Sequence, residues 1–179
     1  LFANSFSENH LILFGVNTVN ENTNNNEVFN SLIVVNNKLD ILYTYNKIKL
    51  VPFGEFLPFE FFLKKLGLKK ITEGYGSFSR GSNNDILTLD NFKILPLICY
   101  EIIFPELSQT PKNLIINISE DAWFGDTIGP DQHFAKAIFR AIESNVYLAR
   151  SANKGFSAFV DNKGIIKKVL KPNETGVIE

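Results

Sequence analysis

The chain has 179 residues, a formal net charge of −1, a pI near 6.2 and a mean hydropathy of +0.01. These values are typical of one soluble globular domain, and the nearly neutral charge argues against a nucleic-acid binder. A chain of this length buries roughly 70% of its unfolded surface, enough for a core without disulfides. The single cysteine, Cys99, excludes an internal disulfide. No apolar run approaches about 18 residues, so this sequence predicts no membrane span.

The two ends predict that the sequence is a piece of a longer protein. It contains no methionine, and Leu1-Phe2 lacks the basic residues that open a secretory leader. The last residues, Thr175–Glu179, are predicted to begin a strand rather than to form a polar tail.

Strands dominate the predicted elements. The continuous apolar run Leu11–Val16 predicts a buried strand, and the asparagine-rich run Asn20–Asn26 predicts a surface loop. Asn36-Asn37-Lys38 lies between two apolar stretches, Ser31–Val35 and Asp40–Tyr45, which is typical of a hairpin. The same signals predict further strands at Asp85–Leu89, Lys93–Ile98, Asn113–Ile118, Val146–Ser151, Phe156–Val160 and Ile165–Leu170.

Two helices are predicted among these strands. One has apolar residues at helical spacing behind Asp131, a candidate N-cap, namely Phe134, Ile138, Ala141 and Ile142. The other runs from about Pro58 to Leu66, with the proline in its first turn. Interleaved strands and helices predict an α/β or α+β class.

Cys99 is the first candidate for chemistry. It follows the predicted strand that ends at Ile98, and a junction between a strand and a turn can present a side chain to a substrate. A lone cysteine can equally be a small buried apolar residue. Glu101, two positions further on, favours the reactive interpretation.

Lys47 and Glu55 form a second candidate, eight residues apart across a proline and a glycine. Alone they could be solvated surface charges. A thiol that attacks a carbonyl needs a base and a cation for the oxyanion, and Lys47 can be that cation.

The segment Asn117–His133 contains the only tryptophan, Trp123, and one of two histidines. This concentration predicts a shaped loop beside a site, and the alternative is a packed turn with a buried indole. His10 and His133 are too few and too far apart to predict a metal site, and no full dinucleotide-binding glycine motif is present. We therefore expect no cofactor.

Together these segments resemble the nitrilase (carbon-nitrogen hydrolase) superfamily, and within it the branch of bacterial apolipoprotein N-acyltransferases. The matching stretches are Tyr45–Pro58, Pro96–Glu106, Asn117–His133 and Arg140–Gly164. The resemblance implies an α/β fold, the nitrilase-like αββα sandwich, truncated here at both ends. Residues 1–179 would then be a partial domain without its N-terminal strands and without flanking membrane segments.

The resemblance also implies a Glu-Lys-Cys triad. Cys99 matches the nucleophile, Lys47 the catalytic lysine, Glu55 the second glutamate and Glu101 the acid after the cysteine. The general-base glutamate would lie upstream of this sequence, because Glu8 does not follow a buried strand. Lys49 and Glu120 depart from the family, which more commonly has histidine and asparagine at these positions.

The implied reaction is two acyl transfers, from a phospholipid to Cys99 and then to the amine of a diacylglyceryl-cysteine lipoprotein. Implied partners are the phospholipid, the lipoprotein and the membrane, with the domain on the periplasmic side of a bacterial inner membrane. Phe56–Lys70 is a predicted membrane-contacting lid, because phenylalanines lie next to lysines there. Expected substrate-binding residues are Tyr100, Trp123, Phe53, Phe61 and Phe62. Two alternatives stay open: a soluble amidase of the same fold, and a non-catalytic binding module.

Overall fold

The computed structural model describes residues 6–20, 27–59, 77–82 and 86–179. The chain divides into two compact units, Leu1–Asn83 and Asn84–Glu179. The predicted loop over residues 21–26, most of the predicted helix Pro58–Leu66, and Phe61 and Phe62 with most of the predicted lid lie outside the described residues.

The described part of the first unit contains an antiparallel sheet of three strands, in the order β1 (Ile12–Asn20), β2 (Glu27–Val35) and β3 (Ile41–Asn46). The predicted hairpin between β2 and β3 is confirmed. The Asn36 side-chain oxygen accepts hydrogen bonds from the backbone N–H groups of Lys38 and Asp40, each at 2.9 Å. This local bonding lets an asparagine close a turn.

The burial predicted for the first strand is wrong. β1 extends beyond Val16 to Asn20, and it leaves Phe14 40% and Val19 50% exposed. Among the described strands, β1 is at the edge of its sheet with β2 as its neighbour, whereas the second half of β2 lies between two strands and is buried. A short apolar run does not distinguish these two positions.

The second unit contains a mixed six-stranded sheet. Its three central strands are parallel and its outer strands antiparallel, as the pairings show. All six predicted strands are present, in the order β4 (Leu87–Leu89), β5 (Phe92–Ile98), β6 (Leu114–Glu120), β7 (Tyr147–Asn153), β8 (Ser157–Val160) and β9 (Ile166–Leu170).

Helix α1 (Gly129–Ser144) confirms the helix predicted behind Asp131. Two details differ. Ile128 is the N-cap and Asp131 lies inside the first turn, because Pro130 fits the first helical positions, where no N–H partner is needed. Ile142 was predicted on the apolar face but is 42% exposed. The buried stripe joins the core of this unit through Phe134, Ala137 and Ala141.

The chain end is not a strand. After β9 the backbone turns, with the Glu174 N–H donating to the Lys171 carbonyl at 3.1 Å. The described residues Thr175–Glu179 have no regular secondary structure, so the predicted strand start there is wrong. No helix among the described residues is long and apolar enough to cross a membrane.

Candidate active site

Cys99 is at the carboxyl end of a central parallel strand. β5 ends at Ile98, and Cys99 opens a short 3-10 helix, Cys99–Ile103, with a φ of +50°. Left-handed backbone is uncommon for a residue with a Cβ, and it marks positions that the surrounding structure must hold. The thiol is half-buried, and Sγ donates to the Glu120 carbonyl at 3.9 Å. The sequence placed the thiol at this junction correctly, but gave no sign of the backbone conformation.

Glu101 is completely buried. Its Oε2 accepts a hydrogen bond from the Ile98 backbone N–H at 2.8 Å. A buried carboxylate is retained only with partners, and the Ile98 N–H is one of the partners of Glu101. The carboxylate holds the end of β5.

Lys47 and Glu55 form a largely buried ion pair in the first unit. Lys47 is 1% exposed, and its Nζ lies 2.9 Å from both carboxylate oxygens of Glu55. Asn30 Nδ2 donates to Oε1 at 2.7 Å and the Val51 N–H donates to Oε2 at 2.8 Å. The two residues are therefore not solvated surface charges. Because Lys47 and Glu55 lie in one unit and Glu101 in the other, the predicted cluster of all three around the thiol stays a prediction.

The predicted substrate-binding aromatics differ in exposure. Trp123 is 62% exposed, so the alternative of a buried indole is wrong. Phe53 is 46% exposed. Tyr100 is half-buried and packs edge-on against Phe104, with ring centroids 4.9 Å apart. Their contact with substrate stays a prediction.

A buried polar network was not predicted from the sequence. Asp121 Oδ1 lies 2.9 Å from His133 Nδ1, and Asp121 Oδ2 accepts a hydrogen bond from Arg150 Nη2 at 2.7 Å. Arg150 Nη1 donates to Asn117 Oδ1, and Asn117 Nδ2 donates to the Leu97 carbonyl at 2.9 Å. His133 Nε2 lies 3.2 Å from the Cys99 carbonyl. The network thus reaches the candidate nucleophile.

The sequence does contain one signal for this network. Asn117 and Arg150 are polar residues at buried positions of β6 and β7, and polar residues at such positions need partners. In the parallel pairing of β6 with β7, these two residues lie opposite each other. A polar residue at a central position in each of two neighbouring strands could have indicated the contact.

Charge pairing strongly stabilises the Asp121 carboxylate. Burial raises its pKa, but the hydrogen bond to His133, the positive charge of Arg150 and the hydrogen bond from Ser119 together lower the pKa to about 2. Burial lowers the pKa of the Arg150 guanidinium, and the Asp121 carboxylate opposes that change. Asp121 is therefore ionised across the physiological pH range.

Acid is expected to weaken the fold through Asp121. A carboxyl whose folded-state pKa is about 2, below its ordinary value of 3.8, stabilises the protein above pH 3.8. That contribution, about 2 kcal/mol, is lost as the pH falls from 3.8 through 2. In urea unfolding at pH 6, 4, 3 and 2, Asp121→Asn should lose less stability than the wild type, whereas the exposed control Asp126→Asn should follow the wild type. Equal pH slopes for Asp121→Asn and wild type would contradict the expectation.

Gly155 is required beside this network. A Cβ built on Gly155 would lie 2.1 Å from Asp121 Oδ2, an oxygen already held by Arg150. Gly155→Ala should therefore lower the free energy of unfolding by about 1–3 kcal/mol, the range for overpacking a buried position. The exposed Gly176→Ala is the control and should change it by less than about 0.5 kcal/mol. Equal unfolding midpoints for the two variants would show that Asp121 moves aside freely.

Comparison with known proteins places this chain in a family. Residues 2–179 match the carbon-nitrogen hydrolase family, so the chain belongs to it. Curated relatives named apolipoprotein N-acyltransferase are 45% identical over 156 residues in Rhizobium rhizogenes and 42% over 153 residues in Allorhizobium ampelinum. These matches cover 84% and 83% of this chain, which spans 29% of the length of each relative.

Solved structures show the same fold. Nit3 of Saccharomyces cerevisiae, a member of branch 10 of the nitrilase superfamily, aligns with a TM-score of 0.65 at 19% identity, covering 90% of this chain and 55% of that one. An amidase from Nesterenkonia sp. aligns with a TM-score of 0.64 at 17% identity, covering 91% of this chain and 57% of that one. The predicted nitrilase-like α/β fold is confirmed.

Proposed function

We propose that this chain is part of an apolipoprotein N-acyltransferase with Cys99 as nucleophile. The main support is the 42% and 45% identity to relatives of that name, which extends over more than four fifths of the chain. Cys99, at the end of a parallel strand, has the position that a nucleophile needs. We extend the proposal to residues 1–179 as part of one carbon-nitrogen hydrolase domain.

The proposed first step acylates the thiol. The Cys99 thiolate attacks the ester carbonyl of a phospholipid, a C–S bond forms, the ester C–O bond breaks, and the lysophospholipid oxygen leaves with a proton. Lys47, held by Glu55, stabilises the oxyanion of the tetrahedral intermediate. A glutamate that precedes Leu1 accepts the thiol proton and completes the Glu-Lys-Cys triad. Glu101 takes part by holding the strand end beside Cys99.

The proposed second step transfers the acyl group. The N-terminal amine of a diacylglyceryl-cysteine lipoprotein attacks the thioester, an amide bond forms, the C–S bond breaks and Cys99 regains its proton. A thioester suits this step, because thiolate is a good leaving group and amines react readily with thioesters. Phe53, Tyr100, Trp123, Phe61 and Phe62 are proposed to contact the acyl chains. The proposed location is the periplasmic side of a bacterial inner membrane.

The amidase alternative has support of its own. A mutant of the Nesterenkonia amidase carries acrylamide added to its active site cysteine, and it shares the fold of this chain at a TM-score of 0.62 and 18% identity. In an amidase, water would replace the amine in the second step. Both reactions would use Cys99, so the acceptor separates them.

The test supplies both kinds of substrate to the full-length protein. Phospholipid vesicles with a diacylglyceryl-cysteine peptide should give lysophospholipid and N-acylated peptide in equal amounts, and small aliphatic amides should not be hydrolysed. Amide hydrolysis without acylated peptide would establish the amidase instead. Neither reaction in a folded protein would support the non-catalytic binding module.

A further inference from the structure

The backbone conformation of Cys99 must be held by contacts with other residues. A residue with a Cβ held at a φ of +50° carries strain of about 1–3 kcal/mol, and such strain persists only where surrounding contacts fix the backbone. Two side chains bond the backbone on either side of the thiol. Glu101 accepts from the Ile98 N–H at 2.8 Å, and His133 Nε2 lies 3.2 Å from the Cys99 carbonyl.

His133 is itself held firmly. Its side chain is 4% exposed in the first turns of α1, and its Nδ1 lies 2.9 Å from Asp121 Oδ1. The ring of Phe124 lies beside it, with centroids 5.6 Å apart. A carbonyl oxygen and an ionised carboxylate can only accept, so in these two contacts His133 Nε2 donates to the Cys99 carbonyl and Nδ1 donates to Asp121 Oδ1.

The hydrogen bonds of the buried polar network begin and end at β5, the strand that leads into Cys99. From the Leu97 carbonyl they run through Asn117, Arg150, Asp121 and His133 to the Cys99 carbonyl. Both ends of this closed path are on β5 or on the residue directly after it. Because Asn117 and Arg150 are on the neighbouring strands β6 and β7, the sheet fixes the path.

We infer that His133 is a positioning residue for the nucleophile, which holds Cys99 in its left-handed conformation through the hydrogen bond from Nε2 to the Cys99 carbonyl. The inference rests on the proposed function in taking Cys99 as the nucleophile. His133 does not touch the reacting atoms in this role. Its loss lowers the acylation rate constant and leaves the affinity for phospholipid largely unchanged.

The experiment compares two replacements of His133 in the full-length protein. His133→Phe keeps a ring and removes the donor, whereas His133→Gln removes the ring and keeps a donor. A misplacement of about 1 Å can cost about 100-fold in rate. We therefore expect His133→Phe to lower kcat for acyl transfer about 100-fold with KM for phospholipid within about threefold, and His133→Gln to stay within about tenfold of wild type. The exposed His10→Phe is the control and should match the wild type.

A second readout does not need acyl transfer. Alkylation of Cys99 by iodoacetamide, followed by mass spectrometry, should be about tenfold slower in His133→Phe than in wild type and largely restored in His133→Gln. If the wild type transfers no acyl group, the proposed function fails, and the alkylation rates still test the positioning role.

Wild-type kcat and alkylation in His133→Phe would overturn the inference, and so would a His133→Gln protein that is folded but as slow as His133→Phe. If His133→Phe does not fold, Asp121→Asn decides, because a neutral amide oxygen accepts from His133 Nδ1 more weakly than a carboxylate does, which loosens the ring and leaves the Nε2 donor of His133 in place. We expect about tenfold slower alkylation in Asp121→Asn. A wild-type rate in that variant would also overturn the inference.

Discussion

Cys99→Ala is expected to abolish acyl transfer by the full-length protein, with no lysophospholipid released above the rate without enzyme. The variant has no atom that can form the thioester, so both proposed steps are lost together. Alanine keeps a Cβ at the same backbone position, so the strain at φ +50° and the fold should be unchanged. Release of lysophospholipid from phospholipid vesicles is the measurement.

Cys99→Ser tests the same expectation with a side chain of nearly the same size. A serine hydroxyl has nearly the size of the thiol, but it is much harder to deprotonate than a thiol and is therefore a much weaker nucleophile at neutral pH. We expect at least a 10³-fold loss of turnover, with circular dichroism and the unfolding midpoint close to those of the wild type. Turnover by Cys99→Ala near the wild-type rate would rule out Cys99 as the nucleophile.

Lys47→Ala is expected to lower turnover by about 10²–10³-fold, the loss typical of one oxyanion donor. It also removes the cation from a largely buried ion pair, and among the described residues the Asn30 and Val51 donors then remain for the Glu55 carboxyl group. Breaking such a pair costs about 3–5 kcal/mol of stability. Turnover must therefore be measured where the folded fraction is known from circular dichroism.

The matched control for Lys47 is Lys38, an exposed lysine in the hairpin turn between β2 and β3. Lys38→Ala should leave both turnover and stability near wild type, because exposed charges contribute little. A Lys47→Ala protein that is folded and turns over at a rate near that of Lys38→Ala would contradict the role of Lys47.

The fold was largely predictable because its signals are local. The hairpin at Asn36 depends on the turn chemistry of asparagine, and helix α1 on apolar spacing within one segment. The position of β1 at a sheet edge depends on which strands pair, and so its exposure could not be predicted from the run Leu11–Val16 alone.

The candidate site was predictable only in part, because some of its contacts join residues that are far apart in the sequence. Cys99 was identified from its place after a strand. Lys47 and Glu55 were singled out by their spacing, and the resemblance supplied their roles. His133 and Asp121 gain their importance from contacts made in the folded chain, where α1 brings the ring to the Cys99 carbonyl. The positive φ of Cys99 leaves no trace in the residue type, because cysteine has no preference for that region.

The most direct test of Cys99 as an acyl carrier is mass spectrometry of the full-length protein after incubation with phospholipid and no amine acceptor. Without an acceptor the second step stops, so the peptide that contains Cys99 should gain the mass of one acyl chain. Hydroxylamine should remove that mass, because it cleaves thioesters. An unmodified Cys99 in a preparation that transfers acyl groups once acceptor is added would contradict the account.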